Sequence, residues 1–208
     1  MGVDEHREFE ERYRQLRAAG AAGWGGEGFG ERQQVWRRAL AHLEAQGRLP
    51  PAGARVLELG SGSGMVSAMF VALGCAVEGI DVSETAVAWA SQEVSAARFV
   101  VGDAADLSRW ADGSFDLVVD GNCLHCMLDE GRGRCLSEVQ RVLGEEGKLL
   151  VSSMVEPVRN LPTGTALVDG FLLREGPRVR RVLAREALRE ERRGAGFAVE
   201  LEHVVERA

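Results

Sequence analysis

Between Arg55 and Ser153 the apolar pattern switches repeatedly between two periods, and this alternation limits the fold more than any other feature of the chain. Runs suited to strands fall at 55–60, 76–81, 97–101, 115–120 and 148–154, with helical spacings at 64–73, 84–94 and 132–143. Segments such as D-L-V-V-D and K-L-L-V suit strands covered on both faces. Strands that alternate with helices close a parallel sheet through right-handed crossovers. The prediction is an α/β fold, a doubly wound, mostly parallel sheet with helices on both faces. Sheets of this kind bind ligands beyond the carboxyl ends of their strands, where the strand order reverses.

The first strand runs into V-L-E-L-G-S-G-S-G-M, residues 56–65. Gly60, Gly62 and Gly64 remove the Cβ atoms that would keep a ligand off the turn and permit positive φ where the chain leaves the strand. A dinucleotide fingerprint would need G-x-G-x-x-G or a final Ala, and position 65 is Met. Two acids end the next strands: Asp81 in G-I-D-V-S and Asp103 in G-D-A-A-D-L. With the strands adjacent, Asp81 is placed to accept both hydroxyls of a ribose, and Asp103 an adenine amino group beside the backbone N–H of Ala104. Asp106, before L-S-R-W, reads as a helix cap.

These stretches resemble the class I S-adenosylmethionine-dependent methyltransferases. The resemblance rests on E-L-G-S-G-S-G as the glycine loop, G-I-D-V-S as the ribose acid, G-D-A-A-D-L as the adenine loop and F-D-L-V-V-D-G-N-C-L-H as the fourth strand, with G-K-L-L-V-S-S as the fifth. It covers roughly residues 53–155. It implies a Rossmann-like fold, S-adenosylmethionine as cofactor and a methyl transfer. It also implies a cofactor site of Glu58, Gly60, Gly62, Gly64, Asp81, Asp103 and Ala104, with Ser61, Val82 and Asn122 as neighbours. Glu58 is then either a half-buried structural carboxylate or a group near the cofactor's amino end. Two other readings stay open: a nicotinamide-dependent oxidoreductase, and a module that binds S-adenosylmethionine without catalysis.

The sulfonium activates the methyl group, so positioning and water exclusion are what the protein must add; a base is needed only for a protonated acceptor. His125, in D-G-N-C-L-H-C, is the histidine nearest that point and serves as either base or scaffold. Cys123 and Cys126 flank it as C-x-x-C, but nothing completes a tetrahedral metal site, and no metal is expected. A net charge of −7 disfavours nucleic acid, and the eight arginines between Arg174 and Arg193 are interspersed with glutamates as on a solvated helix face. The expected partner is a small-molecule acceptor. No apolar run reaches a membrane span and the N-terminus lacks a signal-peptide core, so a cytoplasmic location is expected.

At 208 residues the chain is expected to form a single domain. Residues 1–50 carry two amphipathic helices joined by a glycine-rich loop whose Trp24 and Phe29 either pack in the core or close as a lid, and residues 53–155 form the cofactor-binding core. Residues 156–183 form a substrate arm or hairpin turning at E-G-P, and 184–208 a helix, a glycine stop at Gly196 and a final strand. The remaining strand of a full family sheet would come from 171–183, or the sheet is truncated.

Overall fold

The computed structural model describes residues 3–127, 129–156, 165–168, 170–174 and 178–205. Five parallel strands form the main sheet: β1 (Arg55–Leu59), β2 (Ala76–Asp81), β3 (Arg98–Val101), β4 (Phe115–Asp120) and β5 (Leu143–Val151), in the order β3-β2-β1-β4-β5. The chain winds outward from β1 to β3 and then returns to β4 on the other side of β1. The order therefore reverses between β1 and β4, and a crevice opens at their carboxyl ends.

The period-2 alternation of β1 and β4 divides the core into two layers. Leu57, Leu59 and Val118 face one way and pack with Cys135, Leu136 and Val139 of α5 (Asp129–Val142). Val56 and Val119 face the other way, against Trp36 of α2 (Phe29–Ala45) and Phe70 of α3 (Met65–Ala72). Helices thus cover both faces, as predicted. The observed strands follow the predicted ones except β5, which begins at Leu143 because a register shift between Phe115 and Leu117 of β4 absorbs the turn around Gly144.

A separate antiparallel sheet, β6 (Thr165–Val168), β7 (Phe171–Arg174) and β8 (Arg178–Arg181), occupies the predicted arm. Its strands do not join the main sheet, and the predicted E-G-P turn, 175–177, lies outside the described residues. The helix α6 (Arg185–Gly194) follows, and Gly196 stops it at φ +85. The predicted final strand is not formed: residues 197–205 carry no ladder. Side chains hold this segment instead. Phe197 packs against the core, Glu200 pairs with Arg48 at 2.7 Å and with Lys148 of β5 at 2.5 Å, and His203 stacks on His42 at 4.0 Å. The main sheet therefore ends at β5 as an edge strand.

The N-terminal helix α1 (Val3–Ala18) docks on α4 (Glu84–Glu93) by packing Tyr13 and Leu16 against Ala86 and Trp89, and one carboxylate ties it to the start of that helix. Glu10 accepts hydrogen bonds from the Ser83 hydroxyl at 2.6 Å, the Thr85 hydroxyl at 2.6 Å and the Thr85 N–H at 3.1 Å. Partial burial opposes its ionisation, but these donors and Arg14 outweigh it and bring its pKa down to about 2. The folded-state pKa lies below its ordinary value, so the docking contribution is present above about 4.5 and fades only as pH falls toward 2. Among the described residues no helix is long and apolar enough to cross a membrane. Replacing Glu10 by Ala is expected to release α1 from α4, so that trypsin cuts at Arg12, Arg14 and Arg17 at least severalfold faster near neutral pH while the core resists as before.

Candidate active site

The crevice at the switch between β1 and β4 is an open cleft. The glycine loop forms its floor. Gly60 has φ +61, and a Cβ there would come within 2.7 Å of the Cys123 Cβ across the crevice. Gly62 has φ +53, and a Cβ there would meet the Tyr13 hydroxyl at 2.6 Å. Both glycines let other groups lie directly on the backbone. Ser61 lines the cleft with a buried hydroxyl that has no hydrogen-bond partner among the described residues. Gly64 lies outside the cleft: its φ is +82, it precedes α3, and a Cβ would crowd Val94 at 3.0 Å and Ala90 at 3.3 Å. The third glycine seats the loop against α4.

Asp81, at the end of β2, lines the cleft and joins two loops. Its carboxylate accepts the Gly62 N–H and the Ser83 N–H, each at 2.9 Å. Burial pushes its pKa up to about 6 despite those two donors. A carboxylate offers about four acceptor positions, so lone pairs remain for two hydroxyls of a ligand. Val82 and Ala104 also line the cleft. Asp103 does not; its carboxylate accepts the Ala105 N–H at 2.9 Å and faces His6 at 3.5 Å. Asp106 accepts the Ser108 N–H at 3.1 Å in a turn, and no helix follows it, so the predicted helix cap is a turn cap.

Glu58, on the central strand, is buried more completely than predicted, at 2% exposure. It accepts a hydrogen bond from the Ser67 hydroxyl, and its Oε1 fills the space where a Cβ on Gly121 would stand, 2.7 Å away. Burial first, and the neighbouring Asp81 and Asp120, push its pKa up to about 8 against the Ser67 bonds. On the far side of the crevice, Asn122 has φ +79, the one non-glycine residue with positive φ among those described. Such a backbone state is held by its surroundings, and it sits where the loop passes the cleft. His125 follows in a 3₁₀ turn (Leu124–Cys126), 2% exposed yet lining the cleft with Cys123 and Cys126. All four cysteines are free thiols.

Several groups at the site were missed in the sequence. Asp120 shapes the loop: its Oδ1 accepts the Cys123 N–H at 2.6 Å and the Leu124 N–H at 2.9 Å, and burial raises its pKa to about 6. An acid ending a strand just before a small-residue turn was the available signal. Arg132 braces the same loop by donating to the Leu124 carbonyl and pairing with Glu191 of α6. Phe9 and Tyr13 join Trp24 and Phe29, which were expected in the core or as a lid, in roofing the cleft, with Trp24 centred 5.8 Å from Phe9 and 5.0 Å from Tyr13. The roof also carries Arg32 of α2, and Arg180 enters from β8. The arginine run predicted as a solvated face is thus divided. Arg185, Arg189 and Arg193 lie on the exterior beside glutamates, Arg192 is buried, and Arg180 faces the cleft.

A family model described as "Methyltransferase domain" matches residues 57–151. A demethylmenaquinone methyltransferase of Beutenbergia cavernae is 38% identical over 124 residues, 60% of this chain and 49% of that protein. One from Clavibacter sepedonicus is 32% identical over 127 residues, with the same two shares. The chain spans about half the length of the curated relatives it matches. The crystal structure of Burkholderia thailandensis 1,6-didemethyltoxoflavin-N1-methyltransferase, with bound 1,6-didemethyltoxoflavin and S-adenosylhomocysteine, is similar in fold. The TM-score is 0.65 over 91% of this chain and 75% of that one, at 21% identity.

The raised pKa of Glu58 has a measurable sign. A folded-state value near 8 against an ordinary 4.5 means its contribution is present below pH 4.5 and is lost as pH rises to 8. In thermal or urea unfolding of the ligand-free protein, the Glu58→Gln variant is expected to gain stability relative to the unmodified protein across that window, by at most about 1.4 kcal/mol per pH unit.

Proposed function

Residues 57–151 belong to the class I S-adenosylmethionine-dependent methyltransferases, and on that premise we propose that this protein moves a methyl group from S-adenosylmethionine to a small-molecule acceptor. The observation that carries the reading is the crevice between β1 and β4, where Gly60, Ser61, Gly62 and Asp81 form a cradle with room and acceptors for a nucleoside. The residues fit the cofactor. Gly60 and Gly62 admit its chain against the backbone, and the Ser61 hydroxyl awaits a partner. Asp81 offers its remaining lone pairs to the ribose, and Val82 and Ala104 flank the base. Glu58 takes the ammonium side, Arg32 supplies positive charge for the carboxylate, and Asn122 borders the methionine end. Gly64 supports the loop from behind, and Asp103 holds the adenine loop through Ala105. When bound, S-adenosylmethionine supplies a methyl group already activated by its sulfonium.

The chain's own residues then orient the acceptor and keep water out. Phe9, Tyr13, Trp24 and Phe29 close over the cleft as a lid, and the sheet of β6–β8 serves as the substrate arm, so that the 208 residues act as one unit. His125 accepts the proton of an acceptor that arrives as an O–H or ammonium group. A cleft roofed by aromatic side chains suits a small molecule, and the named activity of the two demethylmenaquinone methyltransferase relatives agrees with that class.

Isothermal titration tests the cofactor assignment: S-adenosylmethionine and S-adenosylhomocysteine are expected to bind saturably and NADH not at all, and the reverse pattern would sink the proposal. Asp81→Asn is expected to weaken S-adenosylhomocysteine binding by roughly 1–3 kcal/mol, as a ribose hydroxyl loses its charged acceptor. For His125→Gln the expectation is unchanged cofactor affinity with turnover reduced by roughly 10²–10⁴-fold, insensitive to acceptor concentration. A loss below tenfold between pH 6 and 9 would leave His125 as scaffold.

A further inference from the structure

Arg180 sits among unusual partners. It lies half-buried on β8, which packs on the 3₁₀ turn of the cleft, and it lines the cleft beside Cys126. Its Nη1 meets the Met154 sulfur at 3.8 Å, and its other contact is the Cys126 thiol. Among the described residues no carboxylate lies within ion-pair distance of it. The adjacent Arg181 faces the opposite way, over the Phe171 ring at 5.1 Å. Thioethers and thiols are weak acceptors, so among the described residues this five-donor guanidinium meets only weak partners and no carboxylate.

The groups around it do not supply the missing charge. Asp81 is engaged by two backbone N–H groups on the far side of the glycine loop, and Glu58, at about 8, is protonated at neutral pH. Arg32 adds a second positive charge from the roof, felt at both Tyr13 and Cys126. Trp24, Phe29 and Met65 line the same cleft. It therefore combines aromatic and apolar walls with a cation that meets no carboxylate among the described residues. Resting on the methyltransferase reading above, we infer that the acceptor is a small molecule with an apolar body and an anionic oxygen, and that Arg180 is the residue that selects it. A carboxylate, phosphate or ionised phenol would replace the sulfur contacts with charge-assisted hydrogen bonds.

Benzoate and its neutral counterpart benzamide are probes of matching shape. Binding of each to the full chain saturated with S-adenosylhomocysteine is measured by calorimetry and saturation-transfer NMR. Benzoate is expected to bind about ten- to a hundredfold more tightly, with the gap shrinking as salt is added. Arg180→Gln is expected to bring the two affinities together while S-adenosylhomocysteine binding stays unchanged. Equal affinities in the unmodified protein overturn the inference without recourse to any variant. A preference that survives in Arg180→Gln also overturns it, as does loss of S-adenosylhomocysteine affinity in that variant, which would give Arg180 to the cofactor carboxylate. Absence of S-adenosylhomocysteine binding in the unmodified protein would defeat the methyltransferase reading itself. The benzoate and benzamide comparison without it would then still decide whether Arg180 selects anions.

Discussion

The carboxylate of Asp81 is the joint on which this architecture depends. It ends β2, yet one oxygen holds the Gly62 N–H of the β1 loop and the other the Ser83 N–H at the start of α4. Ser83 in turn caps α4 by accepting from the Ala86 N–H at 3.0 Å, and its hydroxyl donates a hydrogen bond to Glu10 of α1. A single connected set of hydrogen bonds thus sets the glycine loop, the second strand end, the third layer of helix and the roof of the cleft. Because its members are buried or half-buried, the loss of one leaves its partners without water to replace it.

Three acids, Glu58, Asp81 and Asp120, converge on the carboxyl ends of adjacent strands, and burial raises all three. Each is tolerable only because backbone or hydroxyl donors surround it. Glu58 and Asp81 line the cleft together with Arg32 and Arg180, so acidic and basic side chains share the same space.

The sheet and the glycine loop were legible because their signals are local: a change of period, a glycine every second residue, an acid closing a strand. Gly60, Ser61, Gly62, Asp81 and Asn122 stand in one cleft because strand order alone places them there. Gly64 and Asp103 show the limit of that logic, since the same spacing serves packing on α4 and a loop turn as readily as a ligand. Tyr13, Asp120, Arg132 and Arg180 were not legible as site residues because their roles come from contacts made across the fold. Arg180 is indistinguishable in sequence from the arginines around it; only the pleat of β8, which sends Arg180 and Arg181 to opposite faces, separates them. The final strand failed for a related reason: F-A-V-E-L-E-H-V-V has the alternation of a strand, but Glu200 pairs with Arg48 and Lys148, and Glu202 with Arg185 and Arg189.

That substitution of side-chain contacts for a ladder changes how the edge of the sheet is guarded. An unpaired outer strand is a template for a foreign strand, and proteins commonly blunt it with backbone pairing, proline or inward-turned charge. Here the cover over β5 is fastened by Glu200 to Lys148 and Arg48 and by the stacked His42 and His203 rings. The fastening is ionic and aromatic, and its exposed charge pairs weaken with ionic strength. What keeps the edge of β5 covered is therefore a set of contacts that salt loosens, made by residues other than those that line the cleft.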